Sequence, residues 1–441
     1  MNARRGGRSI VIGLVLGVLL GPAGALAVVE APGFLAPVAV VGATVDFSLA
    51  AAMRDAAPGD DLDIIVYLRD QLDPRSVTGP DRTARLRALV LALQRVAGTS
   101  QRQLRAVLAE GRAAGTVASF TPMWIVDAVA VRAKPAVIAA LAARPEVARI
   151  EPDAAIATVP HELAASTAAA EPNLQLVNAP AVWDLGDQGQ GVVVASLDSG
   201  VDATHPDLAA TYRGGTDSWY DPYGQHPSTP TDVSGHGTWT MGVIVGGSAG
   251  GTAIGVAPAA RWIAARVFND AGQGTTSAIH LAFQWLLDPD ANPATADAPN
   301  VVNNSWTFSN PGCTLTFQPD LQALVAGGIT PVFAAGNFGP NSGTSASPAN
   351  YPEALAVGAI DNASVIYPAS SRGPTTCGGS TGVYPALVAP GVNIWTTDLY
   401  GSYLTATGTS LAAPHVTGAL ALLMSAAPGA TVAQLRAAVT G

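Results

Sequence analysis

An α/β protein built on a mostly parallel sheet with helices on both faces, preceded by a small α+β domain, is the fold class this sequence predicts. Three observations predict it. From residue 173 onward, strand-like and helix-like segments alternate, and alternation on that scale joins parallel strands through crossover helices. Ahead of it, between Asp61 and Asp153, the order is strand, helix, strand, helix, strand, enough for a separate α+β unit. Finally, 441 residues that are 49% hydrophobic and only 12% charged supply large cores and exclude a chain disordered throughout.

The elements follow in order. MNARRGGR is basic, Ile10 to Leu20 is apolar, Gly21 and Pro22 break the run, and Ala25-Leu26-Ala27 offers a cleavage signal, so residues 1–27 read as a secretory signal peptide. An uncleaved anchor is the alternative, but the apolar run is shorter than the ~20 residues a bilayer span needs. Residues 28–60 are rich in Ala and Pro without a sustained period and read as a lead segment. DIIVYLRD is a strand. Residues 82–112 form a long helical stretch carrying Arg82, Arg85, Arg87, Arg95, Arg102, Arg105 and Arg112. WIVDAVAVRA is the second strand, and KPAVIAALAARPEVARIEPD gives a short helix, a break and a final strand. Residues 154–172, rich in Ala, Pro and Thr, read as a linker.

From 173 to 441 the strands are GVVVASLDSG, RWIAARVF, NVVNNSW and TPVFAAGN, and the helices include WTMGVIVGG, SAIHLAFQWLL and LQALVAGG. Later apolar runs are broken by Gly, Pro or polar residues, so none reads as a membrane span. The formal charge of −10 is uneven: +3 before residue 28, zero from 28 to 160 and −13 from 161 to 441. So acidic a body excludes nucleic acid as the natural partner. Two cysteines, Cys313 and Cys377, are too few for a thiolate zinc site, and either one bridge or two buried thiols satisfies the count.

Four residues then stand where chemistry collects in such a sheet. Asp198 ends the strand VVVASLD, and Asn337 ends TPVFAAGN, at the carboxyl edge where sites form. His236 lies in SGHGT, with glycines on both sides leaving its ring accessible, just before an apolar helix. Ser410 heads the apolar helix of GTSLAAPHVTGALALL, with Pro414 in the first turn. Taken singly, each has a plain structural reading as a turn or helix-cap residue. Taken together they are the parts of an acyl-transfer site. Ser410 attacks a carbonyl, His236 takes and returns the proton, Asp198 holds the imidazole tautomer, and Asn337 joins the Ser410 backbone N–H in binding the oxyanion.

The contexts of those residues carry a resemblance. VVVASLDSGVDATHPDL (192–208), SGHGTWTMGVIVG (234–246), NNSW (303–306), AAGN (334–337) and GTSLAAPHVTGALALL (408–423) resemble the subtilisin-like serine peptidases of the S8 family, with the blocks in the family's order Asp, His, Ser. SSRGP (370–374) and VAPGVNI (388–394) resemble its segments upstream of the serine. NNSW and the preceding insertion DPDANPATADAPN are most similar to the bacillopeptidase F type. The resemblance implies that Asp198, His236 and Ser410 are the triad and Asn337 the oxyanion donor. It also implies that Gly272-Gln273-Gly274 and Ser305-Trp306-Thr307 flank an extended polypeptide substrate as strand partners. Many relatives have Leu-Gly where this chain has Trp306-Thr307, so the side-chain pocket is expected to differ.

By the same resemblance, residues 61–153 are similar to an inhibitor I9-type propeptide, an intramolecular chaperone and inhibitor. The expected product is thus a secreted serine endopeptidase, made as a zymogen, cut in the linker 154–172 and carrying its peptidase unit from 173 to 441, where relatives continue further. A catalytically silent binding module of the same fold is the alternative. An esterase is disfavoured because the serine is not in a G-x-S-x-G elbow. The triad requires no cofactor. His205, near Asp207, is expected to be a structural loop residue rather than a metal ligand, and the acidic loop Asp288 to Asp297 could hold a structural calcium ion although its spacing is not that of an EF-hand.

Overall fold

The computed structural model describes residues 42–157, 162–164, 171–380 and 382–441. The expected signal peptide, the start of the lead segment and most of the linker lie outside the described residues. From Gly42 to Gly441 the chain forms one compact unit.

Its first layer runs β1 (Thr44–Val45), α1 (Phe47–Asp55), β2 (Leu62–Leu68), α2 (Arg82–Ala113), β3 (Val117–Met123), β4 (Ala128–Ala133), α3 (Pro135–Ala142) and β5 (Val147–Pro152). The sheet order is β1-β5-β2-β4-β3. Two features depart from expectation. The sheet recruits β1 and α1 from the expected lead segment, with Asp46 capping α1 through bonds from the backbone N–H groups of Ser48 and Leu49. A further strand, β3, takes the edge, where its Pro122 costs no inner ladder bond.

β2 is buried on both faces, which is why it reads as a continuous apolar run. Ile64, Val66 and Leu68 join Leu49, Leu104 and Leu108 in one core. Ile65 and Tyr67, pointing the other way, join Phe283 and Leu321 of the larger layer.

The chain continues through β6 (Ala155–Ala157), β7 (Glu162–Ala164), α4 (Pro172–Leu176), α5 (Ala179–Trp183), β8 (Val193–Asp198), β9 (Trp219–Tyr220), α6 (His236–Val245), β10 (Arg261–Arg266), β11 (Gln273–Thr275) and α7 (Thr276–Leu287). It ends with β12 (Val301–Asn304), α8 (Gln318–Ala326), β13 (Thr330–Ala334), β14 (Leu355–Ile360), β15 (Leu387–Pro390), β16 (Ile394–Thr397), β17 (Tyr403–Thr407), α9 (Thr409–Ala426) and α10 (Val432–Thr440). Seven strands form one sheet in the order β15-β14-β13-β12-β8-β10-β9, and each of its neighbouring pairs is parallel. Alternate residues face opposite layers: Ala195 and Leu197 pack with α7 and α8, whereas Val194 packs with α6 and α9. From β8 the sheet grows one way through β10 and the other way through β12. That reversal opens a crevice at the carboxyl end of β8, where Asp198 stands.

α9 is 18 residues long and by composition apolar enough to cross a bilayer, contrary to the sequence reading; 78% of it is buried inside the protein, as a core helix would be. Cys313 and Cys377 form a disulfide.

The first layer sits on α7 and α8 through polar bonds that satisfy two helix ends and the turn between β3 and β4. Asp153 accepts from the N–H (2.8 Å) and hydroxyl (2.6 Å) of Ser277 in the first turn of α7, and Gln284 Oε1 accepts from the backbone N–H groups of Trp124 and Ile125. Arg85 Nε donates to the carbonyl of Ala326, the last residue of α8, at 2.8 Å, where the helix has carbonyls with no internal partner. Between the layers, His280 Nδ1 lies 2.9 Å from Asp320 and its Nε2 lies 3.1 Å from the Tyr67 hydroxyl.

Candidate active site

Asp198 reaches the crevice because it is the last residue of a strand buried on both faces. It is 1% exposed. Its Oδ1 accepts the Ser199 N–H at 2.8 Å and meets His236 Nδ1 at 2.6 Å. The glycines around both residues serve close approach. At Gly200, where φ is 119°, a Cβ would lie 1.9 Å from the carbonyl oxygen of Thr231; at Gly237 it would lie 2.0 Å from the carbonyl oxygen of Gly200. The turn after Asp198 and the first turn of α6 are thus pressed together, which no larger residue permits. This corrects the expectation that the glycines keep the ring accessible: His236 is only 4% exposed.

His236 is the first residue of α6, behind Gly235 with φ of 89°. One turn on, Trp239 packs edge-on against the imidazole with ring centroids 5.7 Å apart, and its Nε1 donates to Asp398 at 2.8 Å. Burial alone would push the imidazole pKa down, but the charge and hydrogen bond of Asp198, with the charge of Asp232, outweigh it and hold His236 above its ordinary 6.5.

α6 packs directly against α9, which carries Ser410 as its second residue. The cap is Gly408, with no side-chain cap bond, so the plain reading of Ser410 as a helix cap is set aside. Pro414 lies one turn deeper than expected, inside the helix. Lacking an N–H, it cannot bond the carbonyl four residues earlier, which is that of Ser410. Ser305 Oγ donates to that carbonyl instead, at 2.8 Å, and itself accepts from Asn303 Nδ2 at 2.9 Å. The proline therefore exposes the serine's backbone to a side-chain clamp.

Asn337 follows β13. Its Oδ1 accepts the N–H and the hydroxyl of Thr409, both at 3.0 Å, which turns Nδ2 the other way. A Cβ on Gly408 would lie 3.1 Å from Ser410 Oγ and 3.3 Å from Asn337 Nδ2. Hydroxyl and amide converge beside the one residue that leaves room between them. On the expectation that Asn337 is the oxyanion donor, Asn337→Ala should lower kcat by about 10² to 10³ while KM changes little, because such a donor acts on charge that develops only in the transition state. Steady-state kinetics on a peptide ester and a peptide amide check this; a rise in KM at constant kcat would reassign Asn337 to substrate binding.

Of the expected substrate strands, Gln273 and Gly274 lie in β11, paired antiparallel with Ala157 and Ile156 of β6, while Gly272 occupies the turn before it, with φ of 71°. The side chains of Ser305, Trp306 and Thr307 are buried, with Trp306 set among Phe268, Phe283, Phe317 and Phe333. What this segment can offer a substrate is therefore backbone. His205 bonds the Ser402 carbonyl through Nε2 and the Asp207 N–H through Nδ1, a loop-fixing role. One carboxylate oxygen from each of Asp288, Asp290 and Asp297 lies within 4.8 Å of the others.

Sequence reasoning missed Thr409, which orients Asn337, and Asp232, which binds the loop before His236. Each sits within four residues of a recognised one, but their bonds join segments far apart in the chain, and only the adjacency was there to be read.

A hydroxyl, a carboxylate-bound imidazole and an amide donor at the carboxyl edge of a parallel sheet define the serine-hydrolase class. Within it, this chain belongs to the subtilase family of subtilisin-like serine peptidases, whose family model matches residues 189–440. It is 34% identical to bacillopeptidase F of Bacillus subtilis (strain 168) over 382 residues, 80% of this chain and 26% of that protein. It is 34% identical to subtilisin E of the same organism over 297 residues, 66% of this chain and 69% of that protein, and 35% identical to the subtilisin of Bacillus pumilus over 265 residues, 59% and 86% respectively. The chain thus spans about a quarter of the length of bacillopeptidase F.

Proposed function

We propose that the protein is a serine endopeptidase that hydrolyses polypeptides through an acyl-enzyme, exported by its signal peptide and made as a zymogen. The observation that carries this reading is the 2.6 Å Asp198–His236 bond set beside Gly408, to which the start of α9 brings Ser410 and the loop after β13 brings Asn337. Ser410 Oγ attacks the scissile carbonyl as His236 Nε2 takes its proton. The oxyanion is held by Asn337 Nδ2 and the Ser410 N–H. The imidazolium, steadied by Asp198, then protonates the leaving amine, and water repeats the sequence to release the acid.

Residues 61–153 act in this reading as the inhibitory and folding-assisting propeptide, with maturation cleavage in 154–172. Two strands of the linker support it. β6 pairs with β11, and β7 pairs antiparallel with β17, the strand that runs directly into Gly408-Thr409-Ser410. An extended chain is bound there by added-strand pairing, the mode a polypeptide substrate would use. The test is intact mass of the leaderless wild type and of Ser410→Ala, each with and without a fluorophosphonate. One adduct and loss of the N-terminal unit in wild type alone support the reading. A folded wild type showing neither leaves the silent binding module.

Asp288, Asp290 and Asp297 would hold a calcium ion. Their donors are all hard oxygens, and Asp288 Oδ1 is buried with no donor among the described residues. Burial, with the charges of Asp297 and Asp290, pushes Asp288 up to about 6, a cost that a cation would relieve. In a Ser410→Ala background a chelator should lower the melting temperature and calcium restore it, and Asp288→Asn should remove the shift. An equal shift in both chains would end the assignment.

A further inference from the structure

Asp232 lies in TDVSGH, in the loop before α6, and no step of the proposed chemistry uses it. It is 7% exposed, yet its carboxylate is saturated with donors. Oδ1 accepts from the Ser199 hydroxyl at 3.0 Å and from the backbone N–H groups of Ser234 at 3.0 Å and Gly235 at 2.9 Å. Oδ2 accepts from the Thr238 N–H at 3.0 Å and its hydroxyl at 2.8 Å. Ser199 is the residue after Asp198, and its Oγ in turn accepts the Gly237 N–H at 2.9 Å. One carboxylate therefore ties the turn that carries Asp198 to both sides of His236.

We propose that Asp232 is a positioning residue for the acyl-transfer site: it sets the register between the strand-end carboxylate and the imidazole, and places a second fixed negative charge beside the imidazolium that forms during each transfer. The inference rests on the serine-peptidase reading above. Its physical basis is a difference in precision. The Asp198–His236 bond joins two side chains, and the backbones behind them close on each other at Gly200 and Gly237, which fix no side-chain geometry of their own, with a tie beside them from the Asp202 N–H to Thr238 Oγ1 at 3.0 Å. The bonds to Asp232 supply that constraint, and charge-assisted bonds of this kind are the stronger sort. A misplacement of about 1 Å at a reacting group costs on the order of 10²-fold in rate.

The surroundings leave Asp232 a clear electrostatic share. From β8, His236 faces Asp198. From the segment after β16, Asp398 is engaged with Trp239 Nε1. From β10, the buried Arg266 donates to the Ser199 carbonyl and pairs with Asp270, and in the loop after β8 the Asp202 carboxylate accepts from the backbone N–H groups of Thr204 and Tyr400. α6 has no other titratable group, and α9 brings only His415, which burial pushes down to about 4 and which bonds the Leu411 carbonyl and Asn173. The charges that raise His236 are those of Asp198 and Asp232.

The experiment measures kcat, KM and the pH dependence of kcat/KM for full-chain wild type, Asp232→Asn and Ser199→Ala, with concentrations set by fluorophosphonate titration of active sites. Asp232→Asn should lower kcat per active site about 10- to 100-fold, leave KM within about twofold, and move the acid limb to lower pH, since the group that must be neutral has lost a charge favouring its protonated form. Ser199→Ala keeps the charge and cuts one tie, so its kcat should fall by less with the acid limb in place; it also carries the test if Asp232→Asn fails to fold. An acid limb that stays put in Asp232→Asn, or a kcat per titrated site equal to wild type in either variant, overturns the proposal. A wild type that takes up no fluorophosphonate overturns the serine-peptidase reading instead, so the two failures are distinguishable.

Discussion

Ser410→Ala, once its N-terminal unit has been removed by an added protease, should lower kcat on a peptide substrate by about 10⁶ while leaving KM and the melting temperature close to those of equally processed wild type. The size follows from the role proposed for the hydroxyl, that of nucleophile. Ser410 is 2% exposed, and the helix it sits in is capped by Gly408, so removing Oγ takes away the nucleophile without uncapping α9. The Ser305 bond goes to the Ser410 carbonyl, which alanine keeps together with its backbone N–H. The residual rate is then that of water attacking a carbonyl polarised by Asn337 and that N–H, about 10³ to 10⁴ above the uncatalysed reaction. Because the residual rests on the oxyanion donors, adding Asn337→Ala to Ser410→Ala should lower it further, whereas adding His236→Ala should cost little more, since the triad members act as a unit. A loss for Ser410→Ala no larger than that for Asn337→Ala would mean that another group is the nucleophile.

The parts of this molecule legible in its sequence are those in which local pattern and burial agree. β8 and β13 read as largely apolar runs because both faces of a parallel sheet are covered, and a residue such as Asp198 is conspicuous at the end of such a run. His236 and Ser410 were legible through their neighbours, glycines and small residues whose spacing has no other ready use. What escaped depends on contacts remote in the chain. β3 is an edge strand with a proline and a mostly uncovered face, and a short piece of the Ala- and Pro-rich lead is a strand only because β5 lies beside it. The glycines of SGHGT suggested an open ring, and the carbonyl of Gly200 pressed against Gly237 shows that they allow contact instead. Pro414 looked like a first-turn residue, yet one turn deeper it frees the carbonyl that Ser305 takes up. In both cases the residue type was informative and its purpose became visible only with the partner segment in place.

Asp198→Asn should cost about 10⁴ in kcat, with the geometry at the site nearly unchanged, and the reason lies in tautomer and charge together. Oδ1 of Asp198 meets both the Ser199 N–H and His236 Nδ1, so an asparagine whose Nδ2 takes that place gives up the Ser199 bond and faces His236 Nδ1 as a donor. The imidazole would answer with the tautomer protonated at Nε2, the atom that must accept the proton of Ser410. In the wild type the order of effects on His236 is burial, which lowers its pKa, then the charge and hydrogen bond of Asp198 and the charge of Asp232, which together raise it above 6.5. The base must be neutral to work, so the wild-type rate should climb with pH through a pKa above that value and be lost below it. With Asp198 neutralised, burial dominates and the acid limb of the surviving activity should move to lower pH, even as its height falls. Rate against pH measured on fluorophosphonate-titrated enzyme separates the two effects. A 10⁴-fold loss with an unmoved acid limb would mean that Asp198 acts through tautomer alone, and a mild loss would mean that the pair His236–Asp198, although bonded at 2.6 Å, is not the base that serves Ser410.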